Sequence, residues 1–161
     1  MDYVIPAQTR IGHVHLKVSD LERSLDFYVG ILGFQLTQRF GTQAAFISAG
    51  GYHHHIGLNT WYSKDKKPAP VHSAGLFHTA ILYPERKDLA VILKRLIAKA
   101  YPLTGAADHG VSEAIYLNDP DENGVELYWD KPRSVWPVDE LGELKMVTEP
   151  LDIDQLLALA N

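Results

Sequence analysis

Two histidines and one glutamate sit in short segments whose hydropathy alternates: His13 in IGHVHLKV, His78 in GLFHTAIL and Glu126 in NGVELYW. A period of two marks a β-strand, whose successive side chains point to opposite faces. In the first segment Val14, Leu16 and Val18 make an apolar face and leave His13, His15 and Lys17 on the other. In the third, Val125, Leu127 and Trp129 oppose Glu126 and Tyr128. Two neutral imidazoles and one carboxylate, with coordination positions left open, form a ligand set typical of non-haem iron. A strand histidine taken singly is more often a hydrogen-bonded structural group. The argument for a metal lies in the combination: His13, His78 and Glu126 are expected to hold Fe(II), with Mn(II) as the substitute. No fourth acid is in place, because Gly57 and Asn59 stand in the strand where one would fall.

The elements that must position these residues occur twice. Residues 11–18 read as a strand and 21–32 as a helix, with Leu21, Leu25, Tyr28 and Leu32 on one stripe and Gly33 placed to end it. Ser19 with Glu22 fits a capping box, and Asp20 competes as the N-cap. Short β-like runs follow at 34–39, 44–48 and 52–60, separated by Gly41 and by Gly50-Gly51. SKDKKPAPVHSAG (63–75) reads as a linker or exposed loop. The pattern then restarts: a strand at 76–83, a helix at 85–100 and strands near 103–104, 114–118 and 124–129. Placing His13 on His78 puts Ser19 on Pro84, at the strand-to-helix corner of each copy. The expected fold is α+β: two paired βαβββ modules, about 9–62 and 74–130, form a curled mixed β-sheet cleft with helices outside, in a single domain over 1–161. The tail, 131–161, is expected to wrap the core or a partner subunit and to carry no chemistry.

Composition narrows the chemistry. With 161 residues, 46% apolar and 22% charged, the chain is an ordinary globular protein in its make-up. A net charge of −5 leaves no basic stripe for nucleic acid or an anionic membrane. The absence of cysteine rules out thiolate ligands, thiol nucleophiles and disulfides. No apolar run approaches membrane-spanning length and MDYVIPAQTR has no apolar leader core, so the expected location is cytoplasmic. Neither a Gly-x-Ser-x-Gly elbow nor a Walker-type loop occurs.

Around a metal, further residues gain roles. At least one of His53, His54 and His55 is expected to face the cleft, where a neutral imidazole serves as base or proton shuttle near pH 7. His109 and Tyr116 flank the last hairpin, and His15 and Tyr128 share polar faces with ligand positions. His13-x7-Glu22-Arg23-Ser24-x2-Phe27-Tyr28-x3-Leu32-Gly33 resembles the opening of the vicinal-oxygen-chelate superfamily, which includes glyoxalase I, bleomycin-resistance proteins and extradiol dioxygenases. His109-x5-Ile115-Tyr116-x2-Asp119-Pro120 running on to Glu126 resembles the extradiol signature, and GGYHHHIGLNTW with EAIYLNDPDENGVELYWDKPRSVWP looks like the catechol-2,3-dioxygenase type. The resemblance implies His13, His78 and Glu126 as iron ligands. It also implies His54, or a neighbour in the triplet, with His109 and Tyr116 as acid–base and orienting groups; His15 and Tyr128, on the polar strand faces, are expected to bind substrate. The reaction implied is ring cleavage of a small catechol-like aromatic diol by dioxygen, in a homodimer. A glyoxalase-like metalloenzyme of the same fold, or a non-catalytic binding protein, is the alternative. Glu122 departs from the pattern, standing where glycine or proline is expected.

Overall fold

Each half of the chain folds as strand, helix and three strands. The computed structural model describes residues 2–160, which divide into two units at Lys67/Pro68. In the first unit β1 (Val14–Lys17) leads to α1 (Leu21–Leu25), then β2 (Gln35–Phe40), β3 (Ala44–Ser48) and β4 (Ile56–Asn59), with sheet order β1-β4-β3-β2. In the second, β5 (Thr79–Leu82) leads to α2 (Arg86–Ala98), then β6 (Leu103–Asp108), β7 (Ser112–Asn118) and β8 (Gly124–Asp130), in order β5-β8-β7-β6. In both sheets the first strand runs parallel to the last, and the other pairings are antiparallel. The repeat read from the sequence is thus present in topology, and the fold is α+β with two four-stranded mixed sheets.

Burial explains the elements. Leu16 and Val18 from the β1 segment join Ile56 and Leu58 of β4, Ile47 of β3 and Leu25, Phe27 and Tyr28 as fully or nearly fully buried side chains. In the second unit Leu89, Leu93 and Leu96 of α2, Ile115 and Leu117 of β7, and Val125 and Leu127 of β8 do the same. Asp20, rather than Ser19, caps α1, accepting from the Arg23 N–H at 3.1 Å. Glu22 is drawn instead into a bidentate pair with Arg39, at 2.5 and 2.9 Å. The helical turn after α1, Asp26–Ile31, widens to π geometry before Gly33 ends it at φ +90°. The α2 helix opens with a reciprocal Glu85–Asp88 capping box.

Three boundaries differ from the sequence reading. β1 and β5 are short, so His13 and His78 lie one residue before their strands. His53–His55 belong to the irregular segment before β4, where strand alternation does not apply. β6 is longer than expected and lies at its sheet's edge. The tail first forms a small hairpin bridged at Val138–Leu144, then runs along β6 with an Asp108–Glu149 bridge. It ends in α3 (Ile153–Leu157), whose Leu156 is fully buried beside α2. Among the described residues no helix is long and apolar enough to cross a membrane.

The β7–β8 turn is built on Asp119. Its carboxylate accepts from the backbone N–H groups of Asp121 and Asn123, at 2.8 and 2.9 Å, and from the Asn123 amide at 2.9 Å. That wrapping puts the exposed Glu122 at φ +63°, which a residue with a Cβ adopts at a cost of about 1–2 kcal/mol. Glu122→Gly is expected to stabilise the protein by roughly 0.5–1 kcal/mol, the strain relieved less the entropy glycine loses. Urea unfolding of the two proteins checks this.

Candidate functional site

The second unit assembles a continuous polar chain. β5 pairs with β8 in the register Thr79–Val125 and Ala80–Glu126, which carries His78 past Gly124. A Cβ on Gly124 would overlap the Phe77 carbonyl oxygen and stand 3.1 Å from the His78 Cβ, so this crossing needs glycine. The closeness brings His78 Nε2 to 2.8 Å from Glu126 Oε2. Glu126's other oxygen lies 3.1 Å from the Tyr116 hydroxyl oxygen, within hydrogen-bond reach across the Tyr116–Glu126 register of β7 and β8. The Tyr116 oxygen in turn lies 2.6 Å from His109 Nε2. His109 Nδ1 completes the chain, donating to the Val147 carbonyl oxygen at 2.9 Å.

Electrostatics assigns parts to these groups. Burial, and then the adjacent Glu126 carboxylate, push the Tyr116 phenol up to about 12, so it stays protonated and acts as a donor near neutral pH. Tyr128, two residues along β8 from Glu126, is also held above the ordinary phenol value, by burial and then by Asp130 and Glu126. As donors to a divalent ion, His78 and Glu126 fit in type and spacing. A nitrogen and an oxygen 2.8 Å apart can share one ion whose bonds to such ligands run about 2.0–2.2 Å. The other ring nitrogen, His78 Nδ1, is buried without a hydrogen-bond partner among the described residues. Its ring is therefore oriented by packing, with Phe77 and Tyr116 at centroid distances of 5.5 and 6.0 Å, rather than by an outer acceptor.

The first unit gathers imidazoles. The exposed His13 ring lies 4.4 Å from that of His54, and His54 Nδ1 meets His53 Nδ1 at 2.7 Å. His55 turns the other way and is held by Ser48 Oγ at 3.0 Å. His54 is held below the ordinary imidazole value, by burial and then by the His13, His53, His15 and His55 rings, so it is neutral at pH 7. His15 is lowered likewise, by burial and then by His13. Its ring lies over Gly57, its register partner, where a Cβ would stand 2.9 Å from the imidazole. Corresponding registers in the second unit hold Ala80 and Glu126. The two sheets thus exchange sizes at one crossing, and the first unit offers a histidine over glycine where the second offers a glutamate beside alanine. Among the described residues no three His, Asp or Glu side chains form a metal-binding group.

Two contributors were absent from the sequence reading. Gly124 was legible only as a turn residue, although a glycine two places before a polar strand residue is a sign of close backbone approach. Val147 contributes a main-chain oxygen, which no residue type announces, and it brings the tail, expected to be inert, into contact with His109.

The sequence profile of the Glyoxalase/Bleomycin resistance protein/Dioxygenase superfamily matches residues 10–127. The chain belongs to this superfamily. It is 42% identical to a catechol-2,3-dioxygenase of Bacillus subtilis (strain 168) over 98% of its own length and 54% of that protein's. It is 30% identical to biphenyl-2,3-diol 1,2-dioxygenase 2 of Rhodococcus globerulus over 77% of its length and 64% of that protein's. The chain therefore spans about half to two thirds of these curated relatives. Among solved structures, a glyoxalase/dioxygenase from Nostoc punctiforme shares the fold at a TM-score of 0.66 and 15% identity, over 82% of this chain and 99% of that one.

Gly124→Ala tests the crossing. The added methyl must push Phe77 and His78 away from β8, and a loss of about 1–3 kcal/mol is expected from such overpacking. Gly105→Ala, whose Cβ would stand 3.8 Å from Tyr116 Cδ2, is expected to be tolerated. Unfolding curves for the two variants check the contrast.

Proposed function

We propose that the chain is an Fe(II)-dependent extradiol dioxygenase that opens the ring of a catechol-like aromatic diol. The observation that carries this reading is the 2.8 Å approach of His78 Nε2 to Glu126 Oε2, with Tyr116 and His109 ranked behind it. Likeness to two diol dioxygenases supports the reaction class. On this reading His78 and Glu126 hold the iron together with His13 of the first unit, the two units acting as one domain, and Mn(II) is the substitute metal. The protein works as a homodimer. Its location is the cytoplasm.

When bound, Fe(II) supplies the Lewis-acid and redox chemistry that joins the diol to dioxygen. The protein supplies placement and proton handling. His54, neutral at pH 7, takes a proton from a diol hydroxyl. Tyr116 stays protonated and offers its hydroxyl hydrogen to an oxygen that gains charge. His109 Nε2, 2.6 Å from the phenol oxygen, fixes the direction of that hydroxyl. His15 and Tyr128 flank the diol. Both atoms of dioxygen enter the ring-opened product, so no external reductant is needed. Gly57, with no side chain to ligate, leaves the coordination open and weighs against a four-ligand glyoxalase-type centre.

Oxygen-electrode assays on anaerobically iron-loaded protein test this reading. One dioxygen consumed per catechol is the expected result, with iron and activity both lost in His78→Ala. Iron-loaded protein that consumes no oxygen with any of several diols would refute the dioxygenase reading. Wild-type iron content in His78→Ala would remove His78 from the site.

A further inference from the structure

The C-terminal strap, residues 137–149, meets the His109 ring most closely at the Val147 carbonyl, and we infer that this contact makes the carbonyl a positioning group for His109. A carbonyl oxygen only accepts, so the 2.9 Å contact places a hydrogen on His109 Nδ1. In the neutral ring Nε2 is then bare, and that is the nitrogen 2.6 Å from the Tyr116 oxygen. Tyr116 has one hydrogen and two acceptors in reach, His109 Nε2 at 2.6 Å and Glu126 Oε1 at 3.1 Å. The opposite tautomer would turn Nε2–H towards Tyr116 and commit the phenol hydrogen to Glu126. By setting the tautomer, the strap decides which way the Tyr116 proton points. The functional consequence rests on the dioxygenase reading, whereas the tautomer itself does not.

The strap is built to hold this atom by main-chain bonds rather than by a core of its own. Glu149 and Asp108 exchange backbone hydrogen bonds at 2.8 and 2.9 Å, and the Val147 N–H donates to the His109 carbonyl at 3.1 Å. Val138, Leu141, Leu144 and Met146 all remain exposed. At the anchor, burial raises the Asp108 carboxyl. The Lys131 ammonium, at 2.6 and 2.7 Å, and the Gly110 N–H outweigh it and hold the group below its ordinary value, as an anion at neutral pH. Gly110 gives the strap its clearance. At φ +76°, a Cβ there would stand 2.8 Å from Pro137 Cγ and 3.2 Å from Val147 Cγ2. An element held in this way can be lifted without unfolding the sheet beneath it.

Two variants act on the contact from opposite sides: Gly110→Ala pushes the strap outward, and Glu149→Pro removes its N–H bond to Asp108. In metal-free, ¹⁵N-histidine-labelled full-length protein at pH 8.5, NMR reports which His109 nitrogen carries the hydrogen. The expected result is Nδ1–H in the unaltered protein, with Nε2–H appearing in both variants as the Val147 amide loses protection from exchange. With iron and catechol, kcat for oxygen uptake should then fall about 10–100-fold while KM changes less than about twofold, the pattern of a misplaced acid–base group. Thr148→Val, which removes a hydroxyl 3.4 Å from Nδ1, should leave the tautomer unchanged. An Nε2–H ring in the unaltered protein, or Nδ1–H persisting in both variants, overturns the inference. Failure of oxygen uptake alone, with the tautomer as expected, counts against the dioxygenase reading and not against the strap.

Discussion

Most of the site depends on one steric fact: the chain before β5 crosses β8 at a residue without a side chain. With glycine at position 124 the Phe77 carbonyl and the His78 backbone settle against β8, and the imidazole arrives beside Glu126. Everything behind that pair follows from strand register. Glu126 is opposite Tyr116 because β7 and β8 pair as they do, and Tyr116 reaches His109 because the β6–β7 turn folds the chain back. A one-residue slip would send each of these side chains to the other face of the sheet. The buried alternation of Ile115, Leu117, Val125 and Leu127 makes such a slip costly, so the apolar core secures the polar chain.

The two units use the same topology for different ends. At one crossing the first carries His15 over Gly57, and the second carries Ala80 beside Glu126. The space that admits a carboxylate in one sheet is filled by an imidazole in the other. A duplicated topology thus carries different side chains at equivalent registers, with one carboxylate where the repeat offers two places. The proposed iron centre takes its second imidazole from His13, which occupies in the first unit the place of His78 in the second.

Much of this was legible from residue types. Alternation located β1 and β8, and an apolar stripe ending at Gly33 located the helical segment after β1, because burial on one face leaves a periodic mark. The topology followed from the repeat. What escaped has physical reasons. GGYHHHI (50–56) carries no glycine or proline after Gly51 to end an extended run. Its backbone is nevertheless diverted, because Thr37 Oγ1 binds the His53 carbonyl at 2.9 Å and Ser48 Oγ meets His55 Nδ1. β6 is made of Leu-Thr-Gly-Ala-Ala-Asp, a run with weak strand preference that β7 and the tail extend by pairing. The widened turn after α1 has no residue signature. Glu122 looked like a departure from the family pattern, and the Asp119 network explains how the turn keeps its shape at a strained φ.

We propose that His13, His78 and Glu126 share a single ion. X-ray absorption of the iron-loaded protein distinguishes the ligands, since imidazole rings add a characteristic outer-shell scattering. Two imidazoles on iron are expected in the unaltered protein and one in His13→Ala. An imidazole count that His13→Ala leaves unchanged would contradict it.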